Sequence, residues 1–273
     1  MTVFSINSSS GSLTPVAGSP FPLAATGGYA LSPVFDPLGD YLYICDAVFT
    51  SSISVYSIDG AIGTVDHSDA FPVANPIYSL AIHPHGGFLY ALGSGGISAF
   101  QINVGGLIEL AGSPFVSNLA LSNAHAVISP NGKVLMLADR DSAQFRVLTL
   151  NVDGSVGTDV AGSPLSLRGE PLALATTSNG SVAVVTMDPN SVIAVPVDPS
   201  SGALGPPGPV ATTEQTPFAV TIDSQNKFVY IANQMSDSVS AFALDSTASL
   251  TPISGSPYST GRGPISVITT GYH

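Results

Sequence analysis

The chain has 273 residues, of which 44% are hydrophobic and only 9% charged, with six Lys and Arg against 18 Asp and Glu for a formal charge of −12. Phosphate backbones and anionic bilayers are held by clustered cations, so this balance argues against nucleic acid and against an acidic membrane surface as partners. The hydrophobic fraction argues against a disordered chain, and the lack of 18 uninterrupted apolar residues argues against a spanning helix.

Taken from the N-terminus, residues 1–13 show neither a basic start nor a long apolar run, so no signal peptide is expected. The default compartment is the cytoplasm, or an extracytoplasmic one if the N-terminus is truncated. Residues 2–21 read as two strands ending in the phrase AGSPF. Five longer units follow, FDPLGDYLYICDAVFTSSISVYSID (35–59), IHPHGGFLYALGSGGISAFQIN (82–103), ISPNGKVLMLADRDSAQFRVLTLN (128–151), TTSNGSVAVVTMDPNSVIAVPVD (176–198) and IDSQNKFVYIANQMSDSVSAFALD (222–245). Each predicts strand, tight turn, strand, longer loop, strand and turn, because the turn residues DPLG, HPHG, SPNG, TSNG and SQN suit hairpins. The second strand of each unit is almost wholly apolar, as for burial on both faces, and the third alternates, as in ISVYSI. Lone Cys45 lies in the apolar run YLYICDA and reads as buried filler, with no internal disulfide to make. The chain ends in GPISVITTGYH (263–273), which reads as the first strand of one more unit.

The phrase AGSPF recurs at 111–115, as AGSPL at 161–165 and as SGSPY at 254–258, so that its glycines Gly18, Gly112, Gly162 and Gly255 fall at multiples of roughly 47 residues. It reads as punctuation at the end of the outermost strand, with the Gly permitting an unusual backbone angle, the Pro suiting an edge, and the following Phe, Leu or Tyr packing between neighbours. Four antiparallel strands at this period predict an all-β, single-domain β-propeller of six blades. The expected blades are 29–75, 76–120, 121–170, 171–216 and 217–263, with 1–28 and 264–273 joined in a composite blade that closes the ring. A WD-type propeller is disfavoured because the chain has no Trp.

The runs P-x-G-x-x-L-Y-x-x-D/N, the strands V-x-x-F/Y-x-I-N/D and the tails G-x-L-T-P-V-x-G-S-P-F resemble the lactonase-type propeller family, which includes 6-phosphogluconolactonases and carboxymuconate cyclases. The resemblance covers essentially the whole chain. Its members usually have seven blades, one more than the repeat count gives here. It implies a sugar-lactone hydrolase or an enzyme processing a related anionic lactone, in carbohydrate metabolism, with no cofactor and no obligatory metal.

In a propeller the innermost strands line a central channel, and one face collects the loops that lead into first strands and join second to third strands. Arg140 maps to a second-to-third-strand loop, and Arg168 and Arg262 map to loops leading into first strands, so three of six cations share that face. They could hold a carboxylate or phosphate, or they could balance Asp46, Asp139, Glu170, Asp188 and Glu214 in the same loops. His125 starts the first strand of the third unit, near the channel mouth, where an imidazole of ordinary pKa near 6.5 suits a general base. The resemblance implies His or Arg near such positions, and an Arg like Arg140 just after a second strand, holding a substrate carboxylate. Glu170 could be an acid or an arginine's partner. The expected assignment is therefore His125 and Glu170 as catalytic, with Arg140, Arg168 and Arg262 binding a small anionic substrate. The alternative is a non-enzymatic, monomeric propeller that binds a protein or small ligand on that face.

His83 and His85 in IHPHGG read as turn residues, and neither DRD (139–141) nor DHSD (66–69) has the ligand count of a metal cage. The chain contains no G-x-S-x-G, H-E-x-x-H, phosphate loop or G-x-G-x-x-G. Asn7 and Asn179 satisfy the glycosylation sequon.

Overall fold

The computed structural model describes residues 2–6, 12–21, 30–46, 51–103, 106–116, 119, 121 and 124–269. Asn7 and the segments 22–28 and 270–273 of the expected closing blade lie outside the described residues. Contacts divide the chain into two compact units, Met1–Ser122 and Asn123–His273.

The first unit begins with a hairpin of β1 (Phe4–Ile6) and β2 (Leu13–Pro15). Its first four-stranded sheet is β3 (Ala30–Phe35), β4 (Tyr41–Asp46), β5 (Ser52–Asp59) and β6 (Thr64–Pro72), in that order. The second is β7 (Ile77–Ile82), β8 (Phe88–Gly93), β9 (Gly96–Asn103) and β10 (Gly106–Glu109). The second unit holds three more. They are β11 (Ala124–Ile128), β12 (Val134–Asp139), β13 (Gln144–Leu150) and β14 (Val156–Asp159) with β15 (Leu165–Ser166); β16 (Pro171–Thr176), β17 (Val182–Met187), β18 (Ser191–Pro196) and β19 (Ala211–Thr212); and β20 (Pro217–Ile222), β21 (Phe228–Asn233), β22 (Ser238–Leu244) and β23 (Leu250–Pro252) with β24 (Tyr258–Ser259). Every named pairing is antiparallel, and the strands pair in sequence except that β15 and β24 return to β13 and β22. Residues 264–269 carry no strand assignment, and Thr269 Oγ1 donates to the carbonyl of Ile222 at 3.1 Å at the end of β20.

Side chains of adjacent sheets interlock to form the cores. Tyr43, Cys45 and Ile53 pack with Ile77, Leu89 and Phe100 between the first and second sheets. Met136, Phe145 and Val147 pack with Val185 and Val195 between the third and fourth, and Val184 and Ala194 with Ile231 and Phe242 between the fourth and fifth. The second strand of an inner sheet is therefore covered on both faces, and β12 and β17 are buried at every residue. The third strands are more buried than their alternation predicts. In β18 four successive residues, Val192 to Val195, are buried, because sheets press on both sides.

The AGSPF phrase proves to interrupt the fourth strand rather than end it. After Ser163 and Pro164, β15 returns to the same neighbour that β14 pairs with, β13, and Phe115 and β24 do the same beside β9 and β22. In all four copies the glycine has positive φ, from 83° to 89°, and the Ser–Pro bond is cis. The serine hydroxyl then supplies the missing acceptor: Ser19, Ser113, Ser163 and Ser256 accept from the backbone N–H of Val3, Ala99, Val147 and Ala241 at 2.9–3.1 Å. Each break in the strand thus keeps the facing backbone N–H paired.

A second repeated device closes the turns between third and fourth strands. Asp59, Asp153, Asp198 and Asp245 each accept from backbone N–H groups two residues onward, at 2.8–3.0 Å. Hydrogen bonds from the Ser155 hydroxyl to Asp153, from the Ser200 hydroxyl to Asp198 and from the Ser249 backbone N–H to Asp245, with the backbone bonds of the turns, hold these carboxyls below their ordinary pKa, Asp198 at about 2.

Candidate functional site

The innermost strands carry the difference that builds a site. In β7, β16 and β20 the register slips by one residue at the same place, between Ile77 and Ser79, Pro171 and Ala173, and Pro217 and Ala219. The extra residues are the bulky Tyr78, Leu172 and Phe218, and each is a β-bulge. In β11 the register runs straight on, Ala124 opposite Asp139 and His125 opposite Ala138. His125 consequently occupies the rung where its counterparts are Ser79, Ala173 and Ala219. An imidazole stands where these three sheets place a methyl or hydroxymethyl group.

Arg140 follows the end of β12, two residues beyond His125's partner Ala138. That is one diagonal step on the same side of the ladder, a spacing of about 7–8 Å in regular sheet. Its loop is fixed. Buried Asp139 accepts from the backbone N–H of Asp141 at 3.1 Å and from the hydroxyl of Ser142, and Ala143 N–H donates to the Arg140 carbonyl at 3.3 Å. Leu167 N–H donates to the Ala143 carbonyl at 2.9 Å, joining this loop to the one that carries Glu170. There Arg140 Nε donates to Glu170 Oε2 at 2.9 Å, with the two side chains 41% and 57% exposed. The two terminal nitrogens of the guanidinium make no hydrogen bond among the described residues.

His125 and Arg140 border one open cavity of about 450 Å³ in the second unit, whose apolar wall includes Leu172, Phe218 and Ile265. His125 lines this space and is exposed to it, and desolvation by the neighbouring protein lowers its pKa from the ordinary 6.5. Its nitrogens have no hydrogen-bond partner among the described residues. At neutral pH the cavity offers a neutral, unengaged imidazole and the free edge of a guanidinium.

The structure brings together His125 and Arg140, with Glu170 attached through the ion pair. Arg168 stands apart, beside a different cavity of about 370 Å³ with Met187, Ile193 and Pro207. Arg262 borders neither cavity and is exposed, and neither arginine has an ion pair among the described residues. Loops at one sheet edge need not converge: Arg168, just after β15, borders one cavity, and Arg140, just after β12, borders another. Arg146 pairs with Asp159 at 3.0 Å. His83 and His85 lie in the turn before β8, where His85 N–H donates to His83 Nδ1 at 3.3 Å. The apolar wall, Leu172 and Phe218, was legible as the residue preceding each small inner-strand position, but only if the innermost strands are aligned rung by rung.

The family described as lactonase, 7-bladed beta-propeller, matches residues 50–171 and 164–266. The chain belongs to this family. No curated protein matches it by sequence. Among solved structures it is similar to a putative 6-phosphogluconolactonase from Bacteroides uniformis, with 18% identity, a TM-score of 0.76 and coverage of 97% of this chain and 80% of that one. It is also similar to the periplasmic gluconolactonase of Pseudomonas aeruginosa, with 18% identity, a TM-score of 0.73 and coverage of 96% and 78%. A protein of unknown function from Desulfotomaculum acetoxidans gives 13% identity, a TM-score of 0.70 and coverage of 95% and 81%. At these identities the likeness is one of fold, that of a lactonase-like propeller.

Proposed function

We propose that the cavity bordered by His125 and Arg140 hydrolyses a sugar lactone without a bound phosphate. The observation that carries this reading is that a neutral base and a cation with two free donors share one open cavity. Neutral His125 takes a proton from water, and the resulting hydroxide adds to the lactone carbonyl carbon. The terminal nitrogens of Arg140 donate to the carbonyl oxygen as it gains negative charge. The ring C–O bond then breaks, and the leaving alkoxide takes the proton back from the His125 imidazolium. Glu170 sets the orientation of Arg140 and offsets part of its charge. One half-neutralised cation is poor provision for a dianionic phosphate, which supports the unphosphorylated substrate over the phosphorylated one.

Acid release from gluconolactone-type and 6-phosphorylated lactones, measured above the spontaneous rate, tests this. Turnover of plain lactones that disappears in Arg140→Ala supports it, and no turnover of any lactone overturns it. Calorimetric binding of the same lactones without turnover would instead favour a ligand-binding propeller, a reading that the exposed, uncommitted Arg168 and Arg262 also suit.

A further inference from the structure

The charges of this protein are divided unevenly along the chain. All six Lys and Arg lie between Lys133 and Arg262, so residues 1–122 contain seven Asp and Glu, three His and no Lys or Arg. Within that cation-free unit, two cavities of about 260 and 480 Å³ open between the first and second sheets. Tyr41, Tyr43, Ile102 and Asn103 belong to the walls of both. Asp36 and Asp40 edge the larger, and Asp69 with Phe71 edges the smaller.

Tyr43 distinguishes this cleft from an ordinary acidic surface. It is only 2% exposed, it borders both cavities, and its hydroxyl makes no hydrogen bond among the described residues. The hydroxyl oxygen is open to the cleft and can accept a hydrogen bond there. Burial, and then the carboxylate of Asp36, push the phenol up to about 12, so it remains a neutral hydroxyl at physiological pH. Of the carboxylates, Asp36 already accepts from the backbone N–H groups of Leu38 and Tyr41, at 3.1 and 2.6 Å, while the exposed side chain of Asp40 makes no hydrogen bond.

We infer that the cleft between the first two sheets binds a small organic ammonium ion with an apolar body. The ammonium group is held by Asp40 and the Tyr43 hydroxyl oxygen in the larger cavity, and its body lies against Tyr41 and Ile102. Aromatic faces and carboxylates together favour a cation, and residues 1–122 offer no side-chain ammonium or guanidinium to compete for them. The site is separate from the His125 cavity and does not depend on how that cavity is used.

The test is titration of the intact protein with 2-phenylethylamine, with the neutral isostere 2-phenylethanol and glucose as controls, followed by calorimetry and by tyrosine fluorescence, which no Trp obscures. The amine is expected to bind at least tenfold more tightly than either control, with affinity falling as salt rises. Asp40→Asn, at an exposed position, and Tyr43→Phe, which keeps the ring, should each weaken the amine about fivefold or more. Circular dichroism of both variants confirms that they are folded. Equal binding of amine and alcohol, binding of glucose alone, no amine binding at millimolar concentration, or an unchanged affinity in a folded Asp40→Asn protein would each overturn the inference.

Discussion

Arg140 Nε donates to Glu170 Oε2 at 2.9 Å, linking the end of β12 to the loop that leads into β16. The bond uses one face of the guanidinium and leaves its terminal nitrogens directed elsewhere, and Arg140 borders the cavity that His125 shares. An exposed ion pair of this kind contributes about 0–1 kcal/mol to stability, so its value lies in orientation. Glu170→Gln is therefore expected to leave the melting temperature within about a degree or two while raising KM for a lactone several-fold. Thermal melts and steady-state kinetics on the same preparation check both halves. A drop in melting temperature with unchanged KM would assign Glu170 a structural role only.

The pH profile of activity follows from the environment of His125. Desolvation lowers its pKa from 6.5, so the catalytically useful neutral form persists below that value. The acidic limb of kcat/KM is expected to have its midpoint below pH 6.5 and to vanish in His125→Gln along with most of the rate, by about 10²-fold or more. An acidic limb that survives this substitution would assign the titration to another group.

Ser163 carries a structural prediction. Its hydroxyl accepts from Val147 N–H at 2.9 Å and donates to Asp159 at 2.7 Å, and Asp159 in turn holds Arg146. Ser163→Ala leaves the N–H of buried Val147 without an acceptor, at a cost of about 1–3 kcal/mol. Chemical denaturation should show that loss, while Ser166→Ala, at a nearby exposed position, should show almost none.

The turn aspartates set an acid limit. Asp198 has its pKa depressed from 3.8 to about 2 by hydrogen bonds from Ser200 and Ser201. A depressed folded-state pKa contributes stability that is complete above the unfolded value and is lost as pH falls through the folded one. Stability should therefore decline between pH 3.8 and about 2. Asp198→Asn should flatten part of that decline, as melts at stepped pH would show.

Much of the architecture was readable because it repeats. The turns DPLG to SQN, the apolar second strands and the AGSPF phrase each recur where a sheet needs the same backbone geometry. Ser163 illustrates what stayed hidden: a strand that breaks and resumes beside the same partner has no signature in residue type, since its key bond joins positions 16 apart. His125 and Arg140 were legible as chemistry on an inner strand and a loop. That Arg168 and Arg262 would not join them was not, because which way a loop side chain points depends on packing that composition does not record. Tyr43, in turn, reads as core in the sequence, and only the folded structure shows that it borders two cavities.

The central claim is that one cavity, bordered by His125 and Arg140, does the chemistry. The most direct measurement is kcat/KM for a plain sugar lactone across four single variants, His125→Gln, Arg140→Ala, Arg168→Ala and Arg262→Ala, each confirmed folded. Losses of about 10²-fold or more are expected for the first two, and changes within about twofold for the last two. Comparable losses at Arg168 or Arg262, or full activity without His125, would contradict it.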